Sequence, residues 1–306
     1  MELRQLAYFV AVAEERNFTR AAERVHISQS GVSAQIRQLE RELGAELFDR
    51  SGRTATLTVA GKAALEHART ALAAARAVAQ AVGEVTDLIR GRLTVGMVVG
   101  CTVTPLFDAL AAFHRAHPGV EIALLEDNSD RLVQAVRTGT VDLALVGTAA
   151  ATPDGLEALT LISERLVAAV PPGHALAGAD RVTLSGLGGH PVICMPRGTG
   201  LRTVFDLACA ARGLHPAIAL EAGAADAMAD LAARGLGVAV LSASMAESYR
   251  DRLVARTIED VEIPALLSLV WRDARGPAAR ELLLHCRRAF SAAAREGGAA
   301  AGTGGA

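Results

Sequence analysis

Gln29, Ser30, Ser33, Ala34, Arg37 and Arg41 recur at spacings that place them on one face of a single helix that Ser28 can cap, and Arg50 and Arg53 bracket a Ser51-Gly52 turn shortly afterwards. Hydroxyl and amide groups can bond base edges, small side chains let a helix come close, and guanidinium groups bind bases or phosphates. That combination suits a helix reading a DNA major groove, with a basic tip holding the phosphate backbone. A surface helix without this role more often carries Glu and Lys pairs. The Ser51-Gly52 turn, taken alone, reads equally well as a solvated hairpin turn.

A second group of polar residues falls at the carboxyl ends of strand-like segments. Gly100, Cys101 and Thr102 follow "GRLTVGMVV", Asn128 and Ser129 follow "VEIALLED", Thr148 ends "VDLALVGT", and Gly198, Thr199 and Gly200 form a turn after "PVICMP". In open parallel sheets a ligand crevice lies at these strand ends, where helix amino termini also direct free N–H groups. Arg197 and Arg202 flank the Gly-Thr-Gly turn and could neutralise a carboxylate, which favours a small anionic ligand. Glycine turns and strand-end threonines serve structure equally often. Cys101 at a helix start would have its thiolate favoured and could sense oxidants, although a buried thiol is the commoner role and no resolving partner is evident.

Catalysis finds little support. Lys62 is the only lysine and lies far from these segments, so no Schiff-base lysine serves them. "TVAGKAA" lacks the glycine spacing and the Ser/Thr of a phosphate loop, no H-E-x-x-H occurs, and "GTG" and "GLG" are too short for a dinucleotide fingerprint. Cys101, Cys194, Cys209 and Cys286 are widely spaced, with no Cys/His cluster at zinc spacing. His114, His117 and His215 stand beside turns and read as solvated. We therefore expect no enzyme activity, no metal and no cofactor.

Helical and strand periodicities supply the frame. Leu3, Leu6, Phe9, Val10 and Ala13 predict an amphipathic helix over 3–15, Thr19 to Val25 a short second one, and Ser28 caps a third. In the third, Val32, Ile36, Leu39 and Leu43 share a stripe until Gly44. Residues 58–89 contain no proline, and Leu65, Leu72 and Ala79 fall seven apart, followed by Val82, Val85 and Ile89. So long a helix on so small a head calls for pairing with its copy in a second subunit, in preference to lying on its own domain. Beyond it, two sets of βαβ alternation predict parallel sheets with helices on both faces.

The 306 residues, 51% hydrophobic, suffice for two or three domains. Lys and Arg total 31 against 33 acidic residues, so nucleic-acid contact must come from local clustering of charge. The amino terminus lacks the order of a signal peptide, and no charge-free apolar run reaches about 18 residues. With unpaired cysteine spacing, this points to the cytoplasm and to no membrane.

"NFTRAAERVHISQSGVSAQIRQLERELGAELFDRSGRTATLTVAG" resembles the winged helix-turn-helix of the LysR-type transcriptional regulators. "HPGVEIALLEDNSDRLVQAVRTGTVDLALVG", "PRGTGLR" and "LAARGLGVAVL" are similar to that family's effector domain, extending the resemblance over nearly the whole chain. Ser30 stands where many members have proline or another small residue, and Ala34 where arginine or a larger polar residue is frequent. The resemblance implies an α/β protein with a winged helix-turn-helix over 1–58, a linker or dimerisation helix over 59–90, and a two-lobed effector domain over 91–296, like type-2 periplasmic binding proteins. Lobe 1 would comprise 91–162 and 268–296, lobe 2 would comprise 163–267, and 297–306 would be a flexible tail. The chain would cross between lobes near 162–167 and 265–269. It further implies a homodimer or homotetramer on an interrupted DNA palindrome, a small-molecule effector, and RNA polymerase as a partner. A stand-alone solute-binding protein and an enzyme fused to a helix-turn-helix are the competing readings.

Overall fold

The computed structural model describes residues 1–49, 54–85, 91–101, 103–149, 152–272 and 276–301. The first unit opens with α1 (Leu3–Glu15), α2 (Phe18–Arg24) and α3 (Gln29–Leu43), followed by β1 (Phe48–Asp49), β2 (Thr56–Leu57) and α4 (Val59–Val85). Each early helix start is capped by a side chain. Glu2 and Gln5 form a reciprocal box, Asn17 accepts from Thr19 and Arg20 N–H, and the Ser28 hydroxyl accepts from Gly31 N–H at 3.1 Å. The Asn17 cap starts α2 at Phe18, one residue before the periodicity suggested. The turn between α2 and α3 puts His26 at φ 55°, a left-handed conformation that histidine tolerates better than most side chains.

Phe9 and Phe18 meet Phe48 edge-to-face at 5.5 and 5.6 Å, around Leu6, Val12, Val32, Ile36 and Leu39. Leu43, expected on this stripe, is exposed instead, because the helix ends at Gly44 before its last turn meets the core. The first half of α4 also departs from expectation. Ala64, Leu65, Ala68 and Leu72 pack on the head's own core, and Arg69 pairs with Glu14 of α1 at 2.9 Å. Leu65 and Leu72 are therefore committed within the subunit, while Val78 further along is exposed.

The second unit contains β3 (Gly91–Val98), α5 (Thr104–Ala116), β4 (Val120–Asp127), α6 (Ser129–Arg137), β5 (Leu143–Ala149) and β6 (Glu157–Glu164). It continues with β7 (Leu166–Val170), β8 (Arg181–Val182), β9 (Val192–Cys194), α7 (Gly200–Ala210), β10 (Ile218–Glu221), α8 (Ala225–Ala233), β11 (Val238–Ser242), α9 (Ala243–Glu247) and β12 (Val254–Ile258). It closes with β13 (Ala265–Trp271) and α10 (Pro277–Ala301). Two sheets result, ordered β4-β3-β5-β13-β6 and β10-β9-β11-β7-β12-β8. In the first, α5 and α10 cover a face centred on Phe113 and Leu282, and α6 covers the other through Leu132 and Val136. In the second, Val204 and Phe205 of α7 oppose Met228 and Ala229 of α8 across the strands.

Both sheets are mixed, the βαβ units supplying the expected parallel pairs and one strand in each running against its neighbours. β13 runs antiparallel to β5 and β6, and β7 runs antiparallel to β11 and β12. These are the two strands that enter after a crossing. The chain leaves each lobe at the carboxyl ends of its strands, so it enters the next sheet from that same end and must run against its neighbours. The return crossing lies between Ile258 and Ala265, earlier than the expected 265–269, because all of β13 pairs within the first sheet.

Candidate functional site

Ser28, Gln29, Ser30, Ala34 and Arg37 are exposed on α3, and Ser33 is half-buried. Gln29 Nε2 donates to the Ser33 hydroxyl at 3.0 Å, and the hydroxyls of Ser28 and Ser30 lie 3.1 Å apart. Among the described residues Arg37 makes no hydrogen bond or ion pair. Its guanidinium is consequently available to an external acceptor. β1 and β2 pair antiparallel through Phe48 with Leu57 and Asp49 with Thr56. Arg50 and Arg53, expected at the tip between them, lie outside the described residues.

Two residues that carried no signal of their own hold this head together. Glu40 is buried, and its carboxylate accepts from the N–H groups of Leu47 at 2.9 Å and Phe48 at 3.3 Å, fixing the chain as it leaves α3 for β1. At the far side of the wing Thr58 donates to the Glu46 carbonyl at 2.7 Å and caps α4 by accepting from Gly61 N–H at 3.0 Å. A Cβ at Gly61 would overlap the Leu47 carbonyl, so only glycine lets α4 start so close to the head.

In the effector unit the strand ends of one lobe face those of the other. Asp130 N–H donates to the Gly198 carbonyl at 3.2 Å, and a Cβ at Gly198 would stand 3.2 Å from the Asn128 side chain. Gly147 and Gly200 approach so closely that a Cβ on Gly200 would overlap the Gly147 backbone, and a Cβ on Gly100 would stand 3.9 Å from Ala224. Gly100, Asn128, Gly198 and Gly200 thus lie at close approaches between the two lobes, with Thr148 half-buried next to Gly147. Thr102 lies outside the described residues. Ser129, by contrast, is buried with its hydroxyl accepting from Gly147 N–H at 3.0 Å, and Thr199 donates to the Pro196 carbonyl at 2.8 Å. Both hydroxyls are engaged within the fold.

The two arginines beside the Gly-Thr-Gly turn separate. Arg202 is 4% exposed and bonded to Asp206 at 2.8 Å, Glu221 at 2.5 Å and the Met195 carbonyl at 3.2 Å, so its charge is already matched inside the lobe. It cannot serve a ligand. Arg197 is exposed and, among the described residues, unpaired. Cys101 is half-buried against the first lobe's core, and burial pushes its thiol above the ordinary range, with Glu126 adding to the rise and a Val103 backbone bond opposing it. The commoner reading of Cys101 as a buried thiol holds, and the alternative of a thiolate favoured by a helix start does not, because burial dominates and α5 begins only at Thr104.

Residues 3–62 match the sequence family described as bacterial regulatory helix-turn-helix protein, lysR family, and residues 86–291 match the LysR substrate binding domain. The chain belongs to the LysR family. It is a LysR-type DNA-binding transcriptional regulator, with an effector-binding domain that modulates DNA binding. This LysR-type regulator is 34% identical over 300 residues to the uncharacterized HTH-type transcriptional regulator YnfL of Escherichia coli K12, covering 95% of this chain and 99% of YnfL. A full-length OxyR variant from Pseudomonas aeruginosa shares the fold, with a TM-score of 0.69 at 22% identity over 95% of this chain and 94% of that one. CbnR, a LysR family regulator solved in full length with its target DNA, matches with a TM-score of 0.60 at 27% identity over 94% and 100% of the two chains. Among the described residues no helix is long and apolar enough to cross a membrane.

Proposed function

We propose that this LysR-type regulator binds an interrupted DNA palindrome as a homodimer or homotetramer, and that a small effector in the interlobe crevice alters DNA bending or contact with RNA polymerase. The observation that carries the DNA reading is the exposed face of α3, where Arg37 is unpaired and Ser28, Gln29, Ser30, Ser33 and Ala34 form a low-relief polar surface. Arg50 and Arg53 would add phosphate contacts from the wing. Gly100, Cys101, Thr102, Asn128, Thr148, Gly198 and Gly200 would bound the effector, Ser129 and Thr199 would hold the wall, and Arg197 would meet an anionic group. Pairing of α4 would use its second half, since Leu65 and Leu72 are engaged within the subunit and Val78 is not. Two heads joined in this way match the two half-sites of a palindrome.

The effector acts by binding one arrangement of the oligomer better than another, with no bond made or broken. Four free thiols fit a reducing cytoplasm. The test is a footprint of the purified protein on DNA upstream of its own coding region across a salt series. Protection of an interrupted palindrome, weakening steeply with salt, is expected. Absence of protection above nonspecific binding at every salt would favour a solute-binding protein whose head serves another partner.

A further inference from the structure

The first lobe carries a side-chain cluster on the face of its sheet away from α6, used by neither DNA reading nor the interlobe crevice. His117 closes the carboxyl end of α5, while Glu281 and His285 lie four residues apart on α10, which packs along α5. Four-residue spacing places a carboxylate and an imidazole on one helix face, and the fold brings His117 against them. The His117 and His285 rings meet nearly perpendicular with centroids 6.4 Å apart, and buried Phe113 touches both at 5.0 and 6.0 Å. One nitrogen from each histidine and one Glu281 oxygen lie within 4.8 Å of one another. All three residues are half-buried, so the cluster has an apolar floor and an open side.

We propose that His117, Glu281 and His285 bind one divalent transition-metal ion of the zinc class, clipping the end of α5 to α10. Two imidazoles and a carboxylate form a ligand set that such ions favour, with one position left for water. Bond lengths of about 2.0–2.2 Å would bring the three ligand atoms to about 3.3 Å apart, a closure that side-chain rotation alone can supply. Arg288 acts on His285 and opposes a cation, and the Glu281 carboxylate offsets it. Cys286 takes no part, since its sulfur is buried in the lobe core.

The full-length protein, stripped with a chelator, would be titrated with Zn2+ against a competing metal dye, and with Co2+ while visible absorption is recorded. Binding of one ion per chain is expected, with a Co2+ band of tetrahedral or five-coordinate intensity and a thermal midpoint raised by Zn2+. His117→Ala, His285→Ala and Glu281→Gln should each weaken binding at least about tenfold and abolish the thermal shift. The metal-free midpoint of each variant separates loss of a ligand from loss of folding, and His285→Asn offers a conservative second variant. Failure to bind more tightly than dispersed surface histidines would overturn the proposal, as would unchanged stoichiometry and affinity in folded His117→Ala and His285→Asn.

Discussion

Arg37 stands on the exposed face of α3 without a described partner, so replacing it removes no internal bond. Arg37→Ala should leave folding unchanged and weaken specific DNA binding by about 1–3 kcal/mol, measured by titrating the identified operator. Arg53→Ala, outside the described residues, should instead weaken binding to all sequences alike and reduce the salt slope by about one. Glu40 has the opposite character, because its carboxylate is enclosed and accepts two buried N–H groups. Glu40→Ala leaves both donors unmatched and should destabilise the head by about 2–4 kcal/mol in urea unfolding, whereas Glu40→Gln retains an acceptor and should cost less.

At the scale of elements, the amino terminus of α7 sits directly on β5, with Gly200 against Gly147. A methyl group there has no space, so Gly200→Ala must push α7 and β5 apart. The expected loss is about 1–3 kcal/mol of effector-domain stability by chemical unfolding. Gly188→Ala, where a Cβ meets nothing within 4 Å, supplies the control and should be close to neutral. The division of α4 follows from the same kind of contact. Its first half is tied to the head through Leu65, Leu72 and the Arg69 to Glu14 pair, whereas Val78 in its second half is exposed.

For the whole molecule, buried thiols set an alkaline limit. Burial pushes Cys194 and Cys286 up to about 12, against an ordinary value of 9.0. Their neutral forms are favoured by the fold, so this stability is complete below pH 9 and is lost as pH rises toward 12. Between pH 9 and that limit each thiol should remove about 1.4 kcal/mol per pH unit. Urea unfolding at pH 8 and pH 10 should therefore show a fall that Cys194→Ala and Cys286→Ala each reduce. A stability curve that is flat over this range in the parent protein would show that the thiols ionise within the folded state.

Local pattern was enough to place the head. The Ser28 cap, the stripe of Val32, Ile36 and Leu39, and the small polar residues between them are set by helical geometry alone, as is the outward direction of Arg37. The same holds for the two α/β sets, since strand alternation and helix starts depend on neighbours in the chain. Tertiary contact decided what periodicity cannot encode. Arg202 is adjacent to Arg197 in every local respect, yet its charge is matched because Glu221 arrives from another strand. Leu65 and Leu72 read by spacing alone as a dimer seam, and only α1 occupying one side of the helix shows their head contact. Only packing brings His117 to Glu281 and His285, because side chains distant in sequence meet according to sheet order and helix placement, not spacing along the chain.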